Sequence, residues 1–464
     1  MPESTMKQQY RAALEAAHRH ALDWLDTLDE RPIRPELDVD GILSRLRRDL
    51  PADESDAAAV VDELAEASAP GLMAMGSSRF YGFVIGGVHP ASLGADWLVS
   101  AWDQNTGSRQ PTPATAALEE VAAEWLVDLL GLPAGSGVGF TTGATMANAS
   151  CLIVARDALL RRAGADPVAG LQAGPRLRFL AGDAVHTSAV LGGRLAGLGA
   201  PVTVGADHEG RIDVGGLERA LAADEAPAVV ALQAGDVHSG AFDDFTAAIA
   251  VAHAAGAWVH VDGAFGLWAA ASPRLRHLTA GVAGADSWAT DAHKTLNVPY
   301  DCGVAIVRDE AAMTAALGAH AAYLPAVATV SDPYDRVAEL SRRARGVPVW
   351  AALCALGRSG VVRLVDGLAD AAAALADGFR ALPGLDVVND VVFTQVCLAA
   401  GDDAETAALG EWLRDEGTVW ASSSTWHGRT VVRFAVSNLA TDAEAVRRTV
   451  DAVARGAAAL GIRD

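Results

Sequence analysis

Between residues 137 and 308, short apolar runs alternate with stretches of helix length. The runs cover residues 138–141, 177–180, 201–204, 228–232, 258–261, 287–290 and 304–307. Runs of this kind read as strands buried on both faces, and strand alternating with helix predicts a largely parallel sheet covered on either side by helices. Such sheets bind ligands beyond the carboxyl ends of their strands. The residues that follow each run are therefore the ones to search for chemistry.

Outside this region the pattern changes. Residues 8–28 place Leu14, Ala17, Leu22 and Leu25 near one helical face until Pro32 and Pro35 interrupt it, and a second helix over 53–67 ends at Ala69-Pro70-Gly71. After Arg345 a long helical stretch reaches Leu382, apolar runs follow at 385–392 and 430–436, and a last helix starts at Thr441. These changes divide the chain into an N-terminal helical segment (1–75), a large α/β domain (76–345) and a smaller C-terminal α+β domain (346–464).

With 51% hydrophobic and 20% charged residues the chain has ample material for a core. A net charge of -22 repels phosphate backbones and anionic membrane surfaces, so no nucleic acid and no membrane are expected as partners. The first 28 residues carry Asp, Glu and His where a secretory signal needs an apolar core, which predicts a soluble cytoplasmic protein. Cys151, Cys302, Cys354 and Cys397 form no ligand pattern and read as structural, reduced thiols. No metal constellation is visible. His18 and His20 read as solvated helix residues.

Lysine occurs only twice, at Lys7 and Lys294, in a chain whose Lys and Arg total 36. Arginine serves charge pairing and solvation equally well, whereas only a primary amine condenses with an aldehyde to an imine. Lys294 follows the run at 287–290, where a sheet of this type places its chemistry, although a stray surface lysine is the bland reading. Asp262 ends the run Trp258-Val259-His260-Val261, and a carboxylate there needs a partner. Pyridoxal 5'-phosphate (PLP) asks for both groups: an amine for its aldehyde, and an acid to keep its ring nitrogen protonated so that the ring accepts electrons from a bond broken at Cα. The alternative for Asp262 is a helix cap or turn before Gly263. Gly143, Ala144 and Thr145 lie between a strand and a helix, where backbone N–H groups bind phosphate. His186 opens the helix after the run at 177–180 and either stacks on the cofactor ring or is a satisfied core histidine.

In order along the chain, these elements resemble the fold type I PLP enzymes, and within them the group II amino acid decarboxylases that include aromatic L-amino acid decarboxylase. The resemblance rests on Arg79-Phe80-Tyr81-Gly82-Phe83, Leu118-Glu119-Glu120, Thr142-Gly143-Ala144-Thr145, His186 and Gly240-Ala241-Phe242-Asp243. It continues through His260-Val261-Asp262-Gly263-Ala264, His293-Lys294, Asp301-Cys302-Gly303, Arg342-Arg343 and Arg433-Phe434. It implies that Lys294 forms the internal aldimine, Asp262 pairs with the ring nitrogen, His186 and Ala264 cover the two ring faces, Thr145 and its turn hold the phosphate, and His293 helps to hold phosphate or substrate. It further implies a homodimer with active sites at the interface and the N-terminal segment packed on the partner.

Tyr323 matches a loop tyrosine that protonates Cα in these decarboxylases; Tyr334 is a rival on the same segment, and a packing tyrosine is the plain alternative. The resemblance places Phe83, Val84, Ile85, Trp102 and Asn105 in the substrate pocket, which suits an aromatic or medium apolar side chain. Three departures bear on substrate and reaction subtype. Asp291 stands where the group often has Asn, and is awkward near a phosphate unless it faces away; Thr295 replaces a frequent Trp; Asp236 and His238 replace small polar residues. The expected reaction is decarboxylation of an L-amino acid to its amine. An aminotransferase with Arg433 as carboxylate clamp, a decarboxylating oxidative deaminase, and a degenerate binding protein are the alternatives.

Overall fold

Each apolar run in residues 137–308 forms one strand of a single sheet, buried along its length except at the edge, where Val202 and Thr203 are exposed. The structure, a computed structural model, describes residues 3–319 and 331–463. Its N-terminal part is helical: α1 (Glu3–Asp26), α2 (Val39–Leu46) and α3 (Ala57–Ser68). Asp38 and Asp56 open the second and third helices by accepting the Gly41 and Ala59 N–H groups. A two-residue strand, β1 (Phe80–Tyr81), then α4 (Pro90–Trp102) and α5 (Pro113–Leu129), lead to the large sheet.

That sheet contains β2 (Gly137–Thr141), β3 (Arg178–Gly182), β4 (Val202–Val204), β5 (Ala228–Gln233), β6 (Trp258–Asp262), β7 (Ser287–Asp291) and β8 (Gly303–Val307). Between them run α6 (Ala144–Arg162), α7 (Thr187–Leu195), α8 (Val214–Ala222) and α9 (Phe245–Ala254), and α10 (Glu310–Leu317) follows the last strand. The strand order is β2-β8-β7-β6-β5-β3-β4. Only β8 is reversed: it is antiparallel to both β2 and β7, and every other pairing is parallel. The carboxyl ends of β5, β6 and β7 therefore share one edge, where Asp262 pairs in register with Gln233 and Ala289.

The C-terminal part has α11 (Gly346–Arg380), β9 (Leu385–Val387), β10 (Gln395–Ala400), α12 (Asp403–Glu416), β11 (Trp420–Trp426), β12 (Arg429–Ala435) and α13 (Ala443–Leu460). Its sheet, in the order β1-β11-β12-β10-β9, takes an edge strand from residues 80–81, which the sequence division assigned to the large domain. Two residues show no alternation from which a strand could be read. Helix α11 breaks its regular backbone at Gly357, where φ is 58°. By length and composition it is apolar enough to cross a membrane, and it packs against α4, α5 and α13, joining the two parts of the chain.

Candidate active site

Asp262 is the last residue of β6 and is almost fully buried. Its Oδ2 accepts Asn148 Nδ2 at 2.9 Å and Ser188 Oγ at 3.4 Å, and its Oδ1 accepts the Ala264 N–H at 3.2 Å. Asn148, on α6, is itself oriented from behind: its Oδ1 lies 2.8 Å from His260 Nε2. The His260 Nδ1 is 3.0 Å from Ser287 Oγ, which accepts the indole N–H of Trp258 at 2.9 Å. Because Asn148 directs its amide donors at a carboxylate, its oxygen must accept, so His260 carries its proton on Nε2. Ser287 then donates to Nδ1. Burial pushes the His260 pKa down to about 4, which keeps the ring in the neutral form this chain of donors needs.

The start of α6 lies at the neighbouring strand ends. Gly143 caps this helix without a side chain, so its leading N–H groups must find acceptors outside the helix. The Ala144 N–H finds Asp291 Oδ1 at 2.6 Å. A Cβ on Gly143 would enter the space bounded by His293 Cε1 at 3.4 Å and Asp291 Oδ1 at 3.7 Å, so the small residue keeps the cradle open. Lys294 follows β7 and places Nζ 2.9 Å from Asp291 Oδ2. Asp291 does not face away from the cradle. It turns inward because an ammonium and a helix N–H offer this buried carboxylate two donors at once.

His293 donates nothing to the cradle from Nδ1, which accepts the Cys302 N–H at 3.0 Å; its Nε2 lies 3.6 Å from Asp291 Oδ2 and its ring stacks on Tyr300 at 4.2 Å. Asn297, which the sequence reading did not single out, secures the lysine segment. Its Nδ2 donates to the Lys294, Thr295 and Ser437 carbonyls, and its Oδ1 accepts the Gly87 and Leu439 N–H groups. Neither Asn148 nor Asn297 carries a sequence signal beyond being an amide near a turn.

His186 caps α7, where Ser188 N donates to its Nδ1 at 3.2 Å, leaving Nε2 as the protonated nitrogen. Burial lowers its pKa, against the pull of Asp262, so the ring is neutral near pH 7. It lines a cavity of about 630 Å³ together with Asp183, Asp207, Asp236, His238 and His427. Asp236 is tied to the backbone: its Oδ1 accepts the His238 and Ser239 N–H groups, while His238 Nε2 meets Ser424 Oγ at 2.8 Å. Arg433, on β12, donates from Nη1 to the Val237 carbonyl.

The segment of expected substrate-pocket residues 83–85 leads into Gly86, which packs against the Lys294 carbonyl. Phe83 and Trp102 are 59% and 45% exposed, Val84 is buried, and Asn105 is engaged through Oδ1 by the Arg342 N–H. Tyr323 lies outside the described residues. Its rival Tyr334 is buried beside Gly107, whose carbonyl accepts its N–H.

An amine, a buried acid held by fixed donors, a glycine-opened helix start and a histidine facing a cavity are the groups PLP requires, and they meet at one sheet edge. Fold and site together define a fold type I PLP enzyme. Residues 42–400 match the pyridoxal-dependent decarboxylase conserved domain, and the chain belongs to that family. It is similar to tryptophan decarboxylase 1 of Oryza sativa subsp. japonica, with 29% identity over 463 residues covering 92% of this chain and 90% of the relative. Aromatic-L-amino-acid decarboxylase of Bos taurus is 26% identical, over 90% of this chain and 89% of its own. The crystal structure of Oryza sativa TDC with PLP and tryptamine matches with a TM-score of 0.91 at 26% identity, covering 98% of each chain.

Proposed function

We propose that this chain decarboxylates an aromatic L-amino acid to the corresponding amine, with PLP held by Lys294. The observation that carries the reading is the placement of Lys294 Nζ beside the α6 start and Asp262 at one sheet edge, in a chain whose relatives include decarboxylases of tryptophan and tyrosine. Bound PLP supplies an electron sink for the pair released when carbon dioxide leaves. Asp262, oriented by donors from Asn148, Ser188 and Ala264, would pair with the ring nitrogen and keep a proton on it. Gly143, Ala144 and Thr145 hold the phosphate. His186 and Ala264 would cover the two faces of the ring, and the Nε2–H of His186 would hold the substrate or return a proton. Tyr323 is the proposed donor to Cα.

The reading includes a cytoplasmic homodimer. Its support is the apolar surface left by one chain: Leu14, Leu22 and Leu25 on α1, with Phe83, Leu98 and Trp102 near the site, are all exposed. A partner covering them would turn Phe83, Trp102 and Asn105 into pocket walls.

The test is to incubate PLP-loaded protein with single aromatic L-amino acids and identify products by mass. Carbon dioxide and amine in equal amounts are expected. A 2-oxo acid without carbon dioxide would instead make the chain an aminotransferase. The aldehyde outcome has its own support, since 4-hydroxyphenylacetaldehyde synthase of Rhodiola rosea is 26% identical over 421 residues. Tyr323→Phe is expected to move product from amine toward aldehyde, and an unchanged product would remove Tyr323 from the proposed role.

A further inference from the structure

Asp291 touches both groups that a phosphorylated aldehyde would use. Its Oδ1 takes the Ala144 N–H at the head of α6, and its Oδ2 takes Lys294 Nζ, at 2.6 and 2.9 Å. The carboxylate is 2% exposed, so water cannot screen it from an anion entering the same cradle. It is also rigidly placed. Asp291 ends β7 in register with Gly303, its N–H donates to the Ala264 carbonyl, and its carbonyl accepts the Trp268 indole N–H. The Asp291 backbone is therefore pinned beside the head of α6, within reach of its side chain.

We propose that Asp291 is a resident competitor of the cofactor phosphate, holding the helix N–H and the lysine until the cofactor enters and opposing the phosphate thereafter. The inference rests on the phosphate lying at Gly143, Ala144 and Thr145. Its consequence is a cofactor held less firmly, and exchanged more readily, than the covalent link through Lys294 alone would suggest. A neutral amide of the same shape keeps an acceptor for the Ala144 N–H and removes the charge. Like charges within one buried cradle oppose each other by enough to change affinity by about tenfold or more.

The experiment compares the affinities of PLP and of pyridoxal, which lacks the phosphate, by absorbance titration of cofactor-free wild type, Asp291→Asn and Thr145→Val. Asp291→Asn also frees Lys294 from its ion pair, but that effect is common to both ligands and cancels in the ratio of the two Kd values. The preference for PLP over pyridoxal is expected to rise about tenfold in Asp291→Asn and to fall in Thr145→Val. If the ratio falls in Thr145→Val but is unchanged or lower in Asp291→Asn, the competitor role is wrong and the cradle stands. If neither variant moves the ratio, the cradle assignment fails with it.

Discussion

Asn148 stands between two groups that cannot reach each other, donating to Asp262 and accepting from His260. Asn148→Leu would leave the buried His260 N–H without a partner and withdraw the strongest donor from Asp262. Because it acts through Asp262, the expected effect is a fall in kcat of about tenfold or more, with a shifted absorbance band of the bound cofactor. A normal band and turnover would show that Ser188 and Ala264 suffice. His260 also makes a prediction about pH. Its pKa is about 4 in the fold against 6.5 when free, so between those values the unfolded chain binds the extra proton and stability falls as pH falls. The contribution is complete above about pH 6.5 and amounts to about 3 kcal/mol. Asp243, raised to about 6 by burial, acts in the opposite sense over part of this range, so the measurement must be a difference. His260→Gln is expected to lose less stability than wild type between about pH 7 and about pH 4.5 in denaturant titrations. Equal losses would acquit the ring.

At the scale of elements, the strands of the large sheet were legible because burial on both faces leaves uninterrupted apolar runs, and all seven runs match its strands. The reversal of β8 was not, since direction depends on the turn at residues 292–302 and not on composition. In the C-terminal part, the run at 385–392 yields only the short β9, because Asn389 turns its side chain to Ser239, Gln395 and Cys397. Residue type alone singles out Lys294 and Asp262 in the sequence, and the structure sets them at the carboxyl ends of neighbouring strands. The site was not readable where geometry decides, as at Asn297 or in the inward turn of Asp291. Gly86 is another such position: a Cβ there would stand 2.2 Å from the Lys294 carbonyl oxygen. Gly86→Ala must push the lysine segment away from its anchor. A loss of about 2 kcal/mol or more of stability, with weakened PLP retention on gel filtration, is expected. Wild-type retention would mean that the two segments move apart without consequence.

For the whole molecule, the acidic surface and the exposed apolar residues near the site act in opposite senses. A net charge of -22 keeps copies apart, and the uncovered Leu and Trp side chains favour their association. Light scattering is expected to give twice the 47.7 kDa chain mass, with dissociation promoted by low salt, where like charges are least screened. A monomer with full activity would break the link between pocket and interface. The changes in texture along the chain suggest three segments, whereas the exchange of β1 into the distant sheet depends on contacts that no local pattern encodes. Asn297 carries this long-range wiring into the site, since one side chain binds residues 87, 294, 437 and 439. Every group proposed to touch the cofactor except Tyr323 lies at or before Lys294, yet the anchor of the lysine segment is finished only by residues 437 and 439. A chain that stops before residue 437 is therefore expected to lose PLP on gel filtration, and retention at the level of the intact chain would show that this anchor is dispensable.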